Sequence, residues 1–570
     1  MRYFQGNPVS AGIAVAPVYI FQSAALKVER TQVDDPDQEW MRLENALEDA
    51  RNQIEKVKER AETKAGKEEA SIFEAHQMFL DDPALLEVVE ENIQKEKINA
   101  EAAWSDAIEQ FAGELSQMGE EYFQERASDV RDVGQRVLRV LVNREERPFQ
   151  KLVEPSIVVA RDLTPSDTVQ LNTTLVVGFC TAEGGPTSHT SILARTLGLP
   201  AVVGIGEGVL EISPGTSLAM DGRTGEVVAG PDEGVIEQYQ DKKAREEEKT
   251  QARLEKAHEP AVTADGTQIK VLANIGRIED AKAVLEYGAE GIGLLRTEFQ
   301  YLDRQDPPDE ETQLAAYNDI LKTVGELPVT VRTLDIGGDK PVPYLDMPDE
   351  QNPYLGWRAI RISLDRPELF KNQLRALLRA GAKHQIRIMF PMIASLQEFR
   401  AAVDLLEEAR KEVFVKTEQP PGDIPLGMMV ETPAAVLMMD QFVQELSFLS
   451  IGTNDLVQYT MAAERGNQQL SILSDGCHPA ILRQIKRVVK VAEKERVKVS
   501  VCGEMAADPE AIPLLLGLGI TELSMAPTAI PHAKEVVRKW TIQEAKEVAE
   551  KALHAESAEE VRQLVRGYQA

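Results

Sequence analysis

From Pro260 onward one texture repeats: a short run rich in Val, Ile, Leu or Met, a polar end, then a helical stretch. The runs are IKVLANI, EGIGLLRTE, VTVRTLDI, IRIMFPMI, LGMMVET, FLSIGTND, KVSVCGE and TELSMA. Helical patterns such as EDAKAVLEYGA, LQEFRAAVDLLEEARKEV and AILRQIKRVVKVAEKE lie between most of them. Parallel strands need long crossovers, and a parallel sheet must be covered on both faces. Eight strands alternating with helices therefore predict a (β/α)8 TIM barrel over residues 261–570.

Two other textures precede the barrel. In residues 1–25, VSAGIAVAPVYIF reads as strand, turn, strand. In residues 26–147 Gly and Pro are sparse and apolar residues recur at helical spacing: Trp40, Leu43, Leu47, then Ile54 and Val57. IFEAHQMFLDDPALLEVVEENI, AAWSDAIEQFAGELSQM and DVGQRVLRVLV continue the pattern, which predicts a bundle of four or five helices. Strand-like runs return with SIVVARDL, TLVVGFC, PAVVG, SLAMDG and GEVVAG. The bundle is thus expected as an insertion into a β/α domain formed by residues 1–25 and 148–230. Residues 231–260 contain EGVIEQYQDKKAREEEKTQARLEKAH, whose mixed charges predict a solvated linker helix about 39 Å long. The whole is an α/β multidomain protein.

The formal net charge of −31 disfavours nucleic acid or an anionic membrane as partner. Three cysteines in 570 residues form no disulfide framework and fit a reducing compartment. The N-terminus lacks the charged start and apolar core of a signal peptide, and no run is long enough to span a membrane. A cytoplasmic protein without membrane insertion is expected.

Two sets of residues carry chemistry. The first lies in TAEGGPTSHTSILARTLGLPAVVG, where a Gly- and Pro-containing turn delivers His189 to the start of a helix. Ser and Thr supply caps there, and free N–H groups favour added negative charge, which suits a phosphoryl group. Alone, the pattern also admits an ordinary polar residue at a helix start. The second set occupies the predicted C-terminal ends of barrel strands: Arg296, Arg332, Glu431, Asn454 with Asp455, and Cys502, with Arg465 further along. Glu431 and Asp455 are hard oxygen ligands suited to Mg²⁺. The arginines offer planar forks for phosphate and carboxylate oxygens. Cys502 reads either as a proton donor or acceptor or as an inert buried thiol.

GGPTSHTSILAR, GLLRTEF, RTLDIGGDK, NPYLGWRAIR, VETPAA, SIGTNDLVQY and VCGEMA resemble, in register along nearly the whole chain, the phosphoenolpyruvate-protein phosphotransferases, Enzyme I of the bacterial sugar phosphotransferase system. The resemblance implies that the phosphoryl group of phosphoenolpyruvate moves to His189 and then to a histidine of the carrier HPr, releasing pyruvate. It assigns Arg296, Arg332, Asn454, Asp455 and Arg465 to the substrate, Glu431 and Asp455 to Mg²⁺, and Cys502 to protonation of the enolate. It makes the helical insertion the HPr surface, with Glu68, Glu74 and Asp82 near it, although a merely solvated acidic face fits those three as well. It further implies that Thr168 orients the active His, that the barrel forms a homodimer, and that the phosphohistidine domain swivels between donor and carrier. Pro186 departs from the Arg that many relatives carry there. Pyruvate phosphate dikinase and phosphoenolpyruvate synthase share the His domain and barrel but need an ATP-grasp domain for which this chain has no room. The nitrogen-related paralogue carries an N-terminal GAF domain, whereas this sequence opens directly on the phosphohistidine segment. A non-catalytic scaffold is disfavoured by the intact His189, Glu431, Asp455 and Cys502.

Overall fold

The computed structural model describes residues 1–21, 26, 28–64, 70, 72–117, 121–143, 149, 152–185, 188–302, 304–338, 342–348, 350–418, 420–464 and 468–569. They fall into two compact units, Met1–Glu248 and Lys249–Ala570.

The first unit holds one sheet of eight strands: β1 (Arg2–Gln5), β2 (Asn7–Ser10), β3 (Ile13–Phe21), β4 (Ser156–Ala160), β5 (Val176–Thr181), β6 (Ala201–Val203), β7 (Ser217–Asp221) and β8 (Glu226–Ala229). Their order is β1-β8-β7-β3-β4-β5-β6-β2. β3 to β6 run parallel, and the remaining pairings are antiparallel. β1 is an edge strand whose RYFQ is largely exposed, so it lacks the apolar alternation that marks β3.

β3 and β4 are neighbours in the sheet although the whole helical segment lies between them in sequence. That segment folds as α1 (Pro36–Lys64), α2 (Ile72–Leu80), α3 (Pro83–Glu96), α4 (Ala100–Gln117) and α5 (Glu121–Leu141). Leu43, Ile54, Phe73, Val89, Trp104 and Val137 are all fully buried in its core. Each contributes roughly 1.5–3 kcal/mol by leaving water, before entropy is counted. The Trp104 indole N–H donates to the Gly134 carbonyl at 3.0 Å, which satisfies the one polar atom of that side chain. A Cβ at Gly134 would lie 2.6 Å from Ile108, so glycine lets α4 and α5 approach.

Two short helices belong to the β/α half: α6 (Pro165–Gln170) and α7 (His189–Thr196). Val169 and Leu193 are buried in the same cluster as the bundle residues, so the bundle packs directly on both. The long α8 (Glu233–Glu255) buries only Tyr239, as its charge pattern predicts. The division between the two units falls inside it.

The second unit begins with the short β9 (Ala261–Val262), which pairs antiparallel with β10 (Gln268–Ile275). β10 is followed by β11 (Ile292–Leu295), β12 (Val329–Arg332), β13 (Ile386–Phe390), β14 (Leu426–Val430), β15 (Phe448–Ile451), β16 (Lys498–Val501) and β17 (Glu522–Met525). Each pairs parallel with the next, and β17 pairs with β10, which closes the barrel. All eight strands coincide with the runs read from sequence. One apolar set faces the surrounding helices, including Val271, Val331, Ile388, Met428 and Leu449. A second, smaller set fills the interior: Leu294, Met389, Met429, Phe448 and Cys502. No helix among the described residues is long and apolar enough to cross a membrane.

Candidate active site

In the first unit, β5 ends at Thr181, a turn follows, and α7 starts at His189. The backbone of His189 thus stands at a helix N-terminus beyond a strand end, where N–H groups have no intrahelical partner. Ser188 is the N-cap: its Oγ accepts from the Ser191 N–H at 3.3 Å and donates to Ser191 Oγ at 3.0 Å. Ser191 Oγ in turn donates to the Gly185 carbonyl at 2.7 Å. Thr190 Oγ1 donates to the Leu163 carbonyl at 2.5 Å and ties α7 to the loop after β4. At the other end, Gly198 takes φ +64° and Leu199 N–H reaches back to the Ala194 carbonyl, so the helix stops where glycine permits the left-handed turn.

Asp162 lies in that same β4 loop. Its carboxyl is pushed up to about 6, first by burial and then by Glu183, against the pull of the Leu163 N–H. Thr168 is fully buried and its hydroxyl donates to the Thr164 carbonyl at 3.0 Å, which leaves its oxygen able to accept. Pro186 and Thr187 lie outside the described residues.

The barrel site is built from full charges. At the end of β12, Arg332 Nη2 donates to Glu298 at 3.0 Å and Nη1 meets Asp335 at 2.8 Å. Asp335 accepts from Arg358 Nη2 at 3.1 Å, and Arg358 Nη1 meets Asp455 at 3.4 Å and donates to the Tyr459 hydroxyl at 3.0 Å. The chain Glu298–Arg332–Asp335–Arg358–Asp455 alternates in sign throughout. Burial works against the charge on Arg332 and Arg358, but the flanking carboxylates outweigh it and hold both guanidiniums charged.

Glu431, just past β14, is fully buried. Its Oε2 accepts from the Met392 N–H at 2.7 Å, while its Oε1 has no hydrogen-bond partner among the described residues. Burial, then Asp455 and Asp335, push its carboxyl up to about 8, and Arg332 and Arg358 only partly offset them. Two backbone outliers frame the site: Met392 holds φ +54° while donating to Glu431, and Ala359 holds φ +53° beside Arg358. Such positions cost about 1–3 kcal/mol each and persist only where surroundings enforce them. Gly452 makes room as well, since a Cβ there would lie 2.8 Å from Glu431 Cγ.

Asn454 and Asp455 are half-buried in the first turn of the helix Thr453–Met461. Asn454 and Glu504 are joined twice: Asn454 Nδ2 donates to Glu504 Oε1 at 3.1 Å, and Glu504 N–H donates to Asn454 Oδ1 at 3.0 Å. Arg296 is exposed at the end of β11. Cys502 is buried, with Sγ 3.7 Å from the Ile451 carbonyl. Burial first, and Glu431 among the charges, push its thiol up to about 11 against the pull of Ser450, Arg332 and Arg296. Cys502 is thereby held in its protonated, thiol form. Arg465 lies outside the described residues.

The structure thus brings Arg332, Glu431, Asp455 and Cys502 into one electrostatic neighbourhood and adds Arg358, Asp335, Glu298 and Tyr459. The motif NPYLGWRAIR contains Arg358, but it lies far from any strand end in sequence, so the rule that located Arg332 does not find it. Among the proposed carrier contacts, Glu68 lies outside the described residues. Glu74 pairs with Lys58 at 2.8 Å. Asp82 is the N-cap of α3, accepting from Ala84 N–H at 2.9 Å and Leu85 N–H at 3.3 Å. The sequence DDPALL carries that signal, an Asp immediately before a Pro that opens a helix.

No group of three or more His, Cys, Asp or Glu among the described residues has the arrangement of a complete protein-only metal site. Two carboxylates suffice for Mg²⁺ when substrate oxygens complete its shell. The buried Glu431 Oε1, without a hydrogen-bond partner among the described residues, and the neighbouring Asp455 carboxylate are a donor set that would fit such a cation.

Three family models match the chain: PEP-utilising enzyme, N-terminal, over residues 5–126; PEP-utilising enzyme, mobile domain, over 152–225; and PEP-utilising enzyme, PEP-binding domain, over 249–542. The chain is 44% identical over 568 residues to a phosphoenolpyruvate-protein phosphotransferase of Staphylococcus carnosus, covering 100% of this chain and 99% of that protein. It is 45% identical over 565 residues to that of Geobacillus stearothermophilus, covering 99% and 98%. It is 43% identical over 561 residues to that of Bacillus subtilis, covering 98% of each.

Proposed function

The chain belongs to the phosphoenolpyruvate-protein phosphotransferase family, and on that premise we propose how its residues divide the reaction. Phosphoenolpyruvate sits at the barrel rim, its phosphate and carboxylate oxygens held by Arg296, Arg332, Arg358, Arg465 and Asn454. Glu431 and Asp455 hold Mg²⁺, which when bound offsets charge on the phosphoryl oxygens. His189, neutral, attacks phosphorus with Nε2; the P–O bond breaks as the N–P bond forms. The enolate left behind takes the proton of Cys502 and becomes pyruvate. The phosphoryl group then passes from His189 to a histidine of HPr docked on the helical segment, around Glu68, Glu74 and Asp82. We place this in the cytoplasm, in a homodimer joined through the barrel. The observation that carries the reading is the alternating charge chain ending beside the orphaned Glu431 oxygen. Those residues bind an anion and a cation together but include no phosphoryl acceptor.

Incubation with phosphoenolpyruvate and Mg²⁺, followed by intact mass, tests the reading. Wild type gains one acid-labile phosphoryl group and His189→Ala gains none. Cys502→Ala still binds substrate but forms the adduct about 100-fold more slowly. A wild-type protein that stays unmodified overturns the assignment.

His189 and the rim residues lie in different units, so the reading also needs the His-bearing unit to swivel about the α8 region. A crosslink that locks α8 should stop multiple turnover. Undiminished turnover in the locked protein removes the swivel.

A further inference from the structure

Carboxylates stand in the segment between β15 and β16 and in the segment after β16, and one arginine from the C-terminal helix holds them together. Arg562 lies on the C-terminal helix Ala558–Gln569. Its Nε and Nη2 pair with both oxygens of Asp475 at 2.7 and 2.9 Å. Nη2 also meets Asp508 at 2.8 Å, and Nη1 donates to Glu510 at 3.0 Å. Asp475 lies beyond the helix Thr453–Met461 that carries Asn454 and Asp455, and its Oδ1 also accepts from the N–H of the buried Cys477 at 2.9 Å. Asp508 and Glu510 follow the turn Glu504–Ala506, which is separated from Cys502 by Gly503 alone. At Gly476 the loop also touches Met505 of that turn, whose sulfur lies 3.4 Å from where a Cβ would stand.

The physical situation is three carboxylates gathered on one guanidinium. Without that charge they repel, because they lie only partly in water and at close range. Their separation would open the gap between the two loops at its base. At the substrate end the same loops are joined by the paired bonds between Asn454 and Glu504. Burial pushes Asp475 and Glu510 up, but the arginine bonds outweigh it and both titrate below the usual carboxylate range.

We propose that Arg562 is a positioning residue for phosphoenolpyruvate binding. It sets the spacing of the two loops and thereby the placement of Asn454 and Glu504, while touching no substrate itself. This rests on the function proposed above. Cys502 follows β16 directly and is seated in the barrel interior, so its proton-donor geometry does not depend on the clamp. The loss should therefore fall on KM rather than on kcat.

The test uses the full-length protein, comparing wild type, Arg562→Met, Arg562→Lys and Arg566→Met in initial-rate assays against phosphoenolpyruvate, with a melting curve for each. Arg562→Met should raise KM about fivefold or more with kcat within about twofold of wild type. Arg562→Lys should recover part of that loss, because an ammonium still neutralises the carboxylates but cannot make the bidentate pair. Arg566, on the same helix, bonds Glu510 and Glu559 instead. Arg566→Met should leave KM at the wild-type value. Equal KM shifts in the two Met variants, or an unchanged KM in Arg562→Met, overturn the proposal. So does a fall in kcat and melting temperature at constant KM. If Arg562→Met does not fold, Arg562→Lys decides: a KM above wild type supports the clamp and a wild-type KM overturns it. An inactive wild type overturns the proposed function and this role with it, whereas an active wild type confines any failure to Arg562.

Discussion

The start of α7 and the barrel rim handle negative charge by different means. Around the backbone of His189 the contributing groups are neutral: the Ser188, Thr190 and Ser191 hydroxyls and the N–H groups of a helix end. At the rim the groups are fully charged and mostly buried, in the sequence Glu298, Arg332, Asp335, Arg358, Asp455. A helix terminus is worth roughly 0.3–1 kcal/mol to an anion near the surface, whereas a charge-assisted hydrogen bond contributes roughly 1.5–3 kcal/mol. The difference suits a relay. A donor site must bind and orient its substrate firmly, while an intermediate carrier must hold the group loosely enough to pass it on.

If the rim works through full charge, removing one charge there should have the largest effect. Glu431→Gln keeps the shape and the bond from Met392 but removes an anionic oxygen ligand. The expected result is a fall in kcat/KM of about 1,000-fold, mostly recovered by no amount of added Mg²⁺. Steady-state assays across a Mg²⁺ series check this, and a variant within a few-fold of wild type would break the contrast between the two regions.

The rim should also respond to pH through a buried carboxyl. Glu431 is an acid whose carboxyl is raised to about 8, so in the free protein it is mostly protonated at neutral pH. Binding a cation requires the ionised form. Apparent Mg²⁺ affinity should therefore fall about tenfold for each pH unit below about 8 and level off above it. Calorimetric titration in buffers of differing ionisation enthalpy measures both the affinity and the proton released. A pH-independent affinity between about 6 and 9 would show that Glu431 is ionised without its cation.

The smallest effect belongs to the neutral site. Ser188→Ala removes the side-chain cap of α7 and should lower the stability of the first unit by about 1 kcal/mol. Adduct formation should change by no more than a few-fold, because the backbone N–H groups remain. A denaturation curve together with an intact-mass time course separates the two outcomes. A loss of phosphorylation out of proportion to the stability change would mean that the hydroxyl itself contacts the anion.

Legibility in the sequence differed by element for physical reasons. The barrel strands were readable because a parallel strand covered on both faces is apolar along its length, as in IRIMF and LGMMV. β1 was not, since an exposed edge strand such as RYFQ carries no burial pattern. Glu431 and Arg332 stood out because strand ends of a barrel are a defined place. Arg358 and Asp335 did not, because their meeting depends on how two stretches of loop fold back. Asp82 has a local role that its sequence setting, an Asp directly before a Pro, makes readable: its Oδ1 caps α3.

The sequence by itself determined the strand and helix order, the insertion of a helical bundle between two parts of one sheet, and the kinds of chemical group available. These follow from periodicity and turn chemistry, which act over a few residues. Only the tertiary structure decided how those groups behave: the alternating charge chain, the high proton affinity of Glu431 and Cys502, and the three-carboxylate hold of Arg562. Electrostatic energy depends on distance and on exclusion of water, and neither is set until distant parts of the chain have packed together.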